Sequence, residues 1–248
     1  MVDNTTPSCG DSRFGCWTCT LVDKDKSMSA MIQNDEEKEW MLPLLELRDE
    51  LDAPDDSHLR DFRKMNGTIQ LFHDRNVPGP YTQKAREEWL RKLLNAQTWI
   101  RKNAPEHVRD IELITMNELH EIRRIWVFEK HEVEDSLPQI YKQETGEEFP
   151  GGPLDQHLAV AMDEVELLRE VCEGDELHFE TMRELLAVER QFRTMTRRSG
   201  LFEALEKAIK RGYYTDEKDA VELAKRNQQN KIAPALLGLD EEITDAPA

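Results

Sequence analysis

The stretch TQKAREEWLRKLLNAQTWIRKNAP, residues 82–105, decides the fold class. Its side chains Trp89, Leu90, Leu93, Leu94, Gln97 and Ile100 recur at steps of three and four, which puts them on one stripe of a helix. Thr82 is a residue type that caps a helix start, and the preceding VPGPYT (77–82) is turn chemistry. Pro105 cannot continue the run, so the helix is expected to stop there.

The same period extends in both directions. Upstream, Trp40, Leu44, Leu47 and Leu51 form one stripe across residues 35–51, and Pro43 is expected to bend or restart that helix. Ser27 is expected to cap a short helix reaching Ile32. Residues 52–80 are polar and irregular, with one short strand expected at 68–72. Downstream, Thr115 and Glu118 spell a capping box in front of Leu119, Ile122, Ile125 and Trp126, with Val133 as the last member of the face. A shorter helix begins at Ser136 and Pro138 and ends near Gly146. FPGGP (149–153) reads as a linker, followed by helices expected over 155–172, over 175–198, and after Gly200 and Thr215.

The expected class is therefore mainly α, a loop-rich cysteine segment followed by helical domains. The expected organisation is a cysteine-cluster segment at 1–34, a helical region at 35–148 with an irregular 52–80 connection, a linker at 149–153, a C-terminal helical domain at 154–238, and a frayed acidic tail at 239–248.

Composition narrows the function classes. Of 248 residues 34 % are charged and 38 % hydrophobic, and no apolar run approaches the roughly 20 residues that cross a bilayer. The first twenty residues lack a basic start and an apolar stretch, so no secretory signal and no membrane association are expected. A reducing cytoplasm fits four cysteines of which three are bunched at one end. The formal net charge of −18 excludes a surface that grips nucleic acid all round. Arg190, Arg193 and Arg197 recur at helical spacing in a locally basic stretch and are expected to form a solvated face, with a phosphate-contacting stripe as the alternative.

Chemistry concentrates in CGDSRFGCWTC, residues 9–19, where Cys9, Cys16 and Cys19 have the spacing C-x6-C-x2-C. Gly10 and Gly15 let the backbone wrap closely around a bound group. Three soft sulfurs favour an iron–sulfur cluster or zinc over a hard cation, while a redox dithiol, a disulfide or three unconnected thiols are the alternatives. Lys24 and Lys26, directly after this segment, are candidates for contact with an anionic substrate. Cys172 aligns with Val165 and Leu168 and reads as a core thiol, with a further metal ligand as the alternative. His131-Glu132-Val133-Glu134-Asp135 lacks the second histidine of a metalloprotease helix and reads as an exposed helix end. His73 with Asp74 reads as a loop pair, with a substrate pocket as the alternative, and His120 as surface.

The string Ser12-Arg13-Phe14-Gly15-Cys16-Trp17-Thr18-Cys19-Thr20, continued by Asp23-Lys24-Asp25-Lys26-Ser27-Met28 and later by Pro78-Gly79-Pro80-Tyr81-Thr82, resembles the DndC family of DNA phosphorothioation sulfurtransferases. That family is related to the phosphoadenosine phosphosulfate reductases. The resemblance implies replacement of a non-bridging phosphate oxygen of DNA by sulfur, with ATP activating the oxygen and a cysteine desulfurase supplying sulfur. It implies a 4Fe–4S cluster on Cys9, Cys16 and Cys19, anion or substrate contact by Arg13, and partners in DNA, the desulfurase and other subunits of the modification complex. The first half of the family resembles ATP pyrophosphatases and carries an SGGKDS-type loop. Here the one pair of adjacent glycines, Gly151-Gly152, is flanked by prolines, so the chain is expected to be the C-terminal portion, a remnant of an α/β ATP-pyrophosphatase-type protein. Two other readings stand beside this one. One is a helical interaction module held by structural zinc; the other, a phosphoadenosine phosphosulfate reductase-like enzyme, lacks a resolving cysteine after Cys172.

Overall fold

The computed structural model describes residues 17–20, 22–65, 67–73, 75–130, 132–152, 162–193 and 195–237. Of the described residues 64 % are helix and 3 % strand, which makes the class mainly α. The chain divides into two units, both discontinuous in sequence.

The first unit gathers residues 1–56, 83–126 and 135–153. Its described helices are α1 (Lys26–Asn34), α2 (Leu42–Leu51), α3 (Gln83–Asn103), α4 (Met116–Arg124) and α5 (Leu137–Thr145). α3 carries the long apolar stripe of residues 82–105, and it serves two cores. Leu90 and Leu94 pack with Ile114, Leu119, Trp126, Leu137, Ile140, Tyr141 and Phe149. Near its other end, Ile100 joins Met28, Leu44 and Ala104, with Trp17, Trp40 and Met41 packed against them. Gln97, also buried, accepts from the backbone N–H groups of Leu113 and Ile114 at 2.7 and 3.2 Å, so its place on the stripe is polar by design of the 113–114 turn.

Local chemistry sets the helix ends. Asp25, not Ser27, caps α1, its carboxylate accepting from Met28 N at 2.8 Å. Pro43 does restart a helix: residues 36–41 form a 3-10 turn, and α2 then begins with the proline in its first turn, where no N–H is needed. Thr115 and Glu118 complete both halves of the capping box. Gly146 closes α5 at φ 79°, a left-handed conformation that a side chain would disfavour. After α4 the chain makes a π-helical turn at Ile125–Glu129.

The second unit gathers residues 57–82, 127–134 and 154–248. Its described elements are a two-residue hairpin of β1 (Leu71–Phe72) and β2 (Arg75–Asn76), then α6 (Met162–Val171), α7 (Glu176–Arg193), α8 (Leu201–Arg211) and α9 (Glu217–Leu237). The strands pair antiparallel with Leu71 opposite Asn76. The expected strand at 68–72 thus shrinks to its last two residues. α7 stops at Arg193 rather than 198, ahead of the Gly200 start of α8. Val165, Cys172 and Phe179 form a small buried core between α6 and α7. Among the described residues no helix is long and apolar enough to cross a membrane.

Two expectations are corrected here. Residues 132–134 are not an exposed helix end: Glu132, Val133 and Glu134 are all buried. Arg183 pairs with Glu134 at 2.5 Å, and Arg190 donates to the carbonyls of Glu132 and Val133 at 2.7 and 3.4 Å. Arg190 is therefore internal glue, while Arg193 is exposed beside Glu189 and Arg197 lies beyond the helix. The three arginines do not form one solvated face, because a loop far away in sequence claims the first of them.

Candidate metal centre at the cysteine segment

Cys9, Arg13 and Cys16 lie outside the described residues, as does Asp74. Cys19 is described and half-buried. Contacts on both sides hold the chain around it. Trp17, two residues before, packs against the core made by Met28, Leu44, Ile100 and Ala104. On the other side, the guanidinium of Arg48 on α2 reaches back across 29 residues, and its Nε donates to the Cys19 carbonyl at 3.2 Å.

Arg48 also donates from Nη1 to the carbonyl of Asp23 at 2.9 Å, and from Nη2 to that of Val22. Its remaining two donors meet Asp49 at 2.8 Å and Asp52 at 3.0 Å, both carboxylates of its own neighbourhood. The side chain is only 1 % exposed. A guanidinium taken from water needs partners for its charge and for each N–H, and this one has both. Nothing in the sequence pattern marked Arg48, since it sits beside Leu47 on an amphipathic helix like any boundary residue. The one local signal is a cation followed by carboxylates one and four residues on, Asp49 and Asp52.

Lys24 and Lys26 are both exposed, on either side of the buried cap Asp25. Lys26 is the first residue of α1. Lys24, on the loop, directly follows Asp23, whose carbonyl Arg48 holds, and Lys26 opens the helix two residues on. Among the described residues no three His, Cys, Asp or Glu side chains converge as a metal site. The donor chemistry of the segment nevertheless fits a soft metal group. It provides a thiol at Cys19 that is neither sealed in a core nor fully in water, on a backbone held from both sides, with two more thiols within ten residues.

The other sequence candidates fall elsewhere. Cys172 is 5 % exposed in the core of the second unit, as expected of a packing thiol. His73 is exposed in the hairpin turn at φ 53°, its ring edge-on to Phe72 at 4.5 Å. His120 is exposed with its ring 4.8 Å from that of Phe149.

The second unit holds two features that sequence reading missed. Arg63, 2 % exposed, makes a two-point bond to Asp61 at 2.9 and 3.0 Å and a further bond to Glu180 at 2.7 Å. Arg211 joins the same Asp61 at 3.0 Å and pairs with Glu184 at 2.5 Å. Burial raises the Glu184 carboxyl above its ordinary value; Arg211 and Arg63 oppose that rise and Glu180 adds to it. Beside β1 and α9 lies an open groove of about 590 Å³, lined by Lys64, Gln70, Leu71, Tyr214, Leu223 and Asn227 among others. It holds none of the residues singled out above for sulfur chemistry.

Set against family models, curated proteins and solved structures, the chain has no match in any of the three.

Proposed function

We propose that this chain is a sulfurtransferase component of DNA backbone phosphorothioation, the part that carries the cysteine site and the helical units. The observation that carries the reading is the string from Ser12 to Thr20 with its continuation from Asp23 to Met28. The anchoring of Trp17 and of the Cys19 carbonyl supports it, because sulfur delivery needs a ligand loop held in place. Cys9, Cys16 and Cys19 would hold a 4Fe–4S group, which when bound supplies a soft site for sulfide-level sulfur. Arg13, Lys24 and Lys26 attract the anionic substrate towards that site, and α1 gives Lys26 a fixed base. The ATP-dependent activation belongs to an α/β half of the family pattern whose loop is not in this sequence. DNA, a cysteine desulfurase and sibling subunits are the proposed partners, in the cytoplasm.

The net charge of −18 favours a second reading, a non-catalytic helical interaction module whose cysteines hold zinc. One experiment separates the two. Cys16→Ala is introduced into the complete modification system and the DNA is digested and assayed for phosphorothioate dinucleotides. Loss of the modification, with helical circular dichroism of the purified variant retained, supports sulfur transfer. Full modification by a folded Cys16→Ala protein overturns it.

A further inference from the structure

A guanidinium carries five N–H donors in a rigid plane, and Arg48 uses all five. Two are spent on Asp49 and Asp52, which fix the head group relative to its own helix. The other three reach the carbonyls of Cys19, Val22 and Asp23, in a stretch where residues 17–25 contain no helix or strand among those described. One side chain thus bonds the backbone at three of the described residues from Cys19 to Asp23. Charge-assisted bonds from one planar donor leave the carbonyls of Cys19, Val22 and Asp23 little freedom.

We infer that Arg48 is a positioning residue for Cys19: it fixes where that thiol stands before any metal or sulfur arrives. Only the identity of the bound group rests on the proposed function; the clamp itself does not. Lysine cannot replace it, because three donors on a single nitrogen cannot span three carbonyls and two carboxylates. Nor is the residue a generic packing element. Its aliphatic neighbours Leu44 and Leu47 already bury the apolar face of α2.

The test uses the full chain, metal-free, in two backgrounds. One retains Cys19 alone (Cys9→Ser, Cys16→Ser, Cys172→Ala), and the other retains Cys172 alone. Maleimide alkylation is timed in each, with and without Arg48→Met or Arg48→Lys. Loss of the clamp is expected to speed Cys19 about tenfold, as local opening does, and to leave Cys172 unchanged. Where Arg48→Met loses its helical circular dichroism, Arg48→Lys decides on the same criteria. Wild-type alkylation of Cys19, or equal acceleration of Cys19 and Cys172, overturns the inference, the second because it signals general loosening. A wild-type protein that holds no iron would defeat the proposed function and leave this result standing.

Discussion

At the scale of single residues, tolerance follows what surrounds each atom. Leu94 is fully buried on α3, so Leu94→Ala removes apolar contacts and opens a cavity. A loss of about 2–5 kcal/mol in urea unfolding is expected, and a loss below about 1 kcal/mol would show that α3 is not the central stripe. Gly79 is constrained differently. Its N–H donates to the Asp61 carbonyl at 2.6 Å, and a Cβ there would run into the carbonyl of Arg63. Gly79→Ala is therefore expected to destabilise by about 1–3 kcal/mol, read from the same urea midpoint, because the neighbour is backbone and cannot swing aside. Leu94 was legible from its spacing alone. Gly79 looked like ordinary turn chemistry, and its close approach to the 61–63 backbone came from the fold.

At the scale of elements, what could be read was whatever is local. The Thr115–Glu118 box, the proline restart of α2 and the glycine end of α5 are decided within four residues, and each stands where its sequence put it. Thr115→Ala should cost about 1 kcal/mol in thermal or urea unfolding, and an unchanged midpoint would mean the cap carries nothing. What could not be read was pairing across long separations. Arg63 meets Glu180 across 117 residues and Arg183 meets Glu134 across 49, and no periodicity announces either. That is why 132–134 looked like an exposed charge run. Around Cys19, the half-buried thiol and the two exposed lysines could be named from sequence as candidates, while the contact of Arg48 with the Cys19 carbonyl could not.

The Asp61–Arg63–Glu180–Arg211–Glu184 network makes a pH prediction for its own unit. The folded state holds the Glu184 proton more tightly than the unfolded state, since burial penalises the carboxylate. The penalty is full above the raised folded value and fades as pH falls towards the ordinary glutamate value. Through that window the wild type should therefore gain stability relative to Glu184→Gln as the medium is acidified. Urea titrations of both proteins at a series of pH values check the sign. A difference that is flat, or that grows with rising pH, contradicts it.

At the scale of the whole molecule, a charge of −18 opposes a polyanion. The isolated chain is expected to give no anisotropy change with a fluorescent duplex up to about 10 μM at physiological salt, below even the usual non-specific affinity. On the proposed function, sibling subunits would hold the duplex and this chain would contribute the sulfur chemistry. Salt-sensitive micromolar binding by the chain alone would reverse that division of labour. The central claim is what the N-terminal thiols hold. The most direct measurement is iron, acid-labile sulfide and zinc on protein purified without oxygen, alongside its visible spectrum. The account predicts a brown protein with about four iron and four sulfide per chain, lost on changing Cys9, Cys16 or Cys19 to Ala. A colourless protein carrying one zinc, or no metal at all, would contradict it.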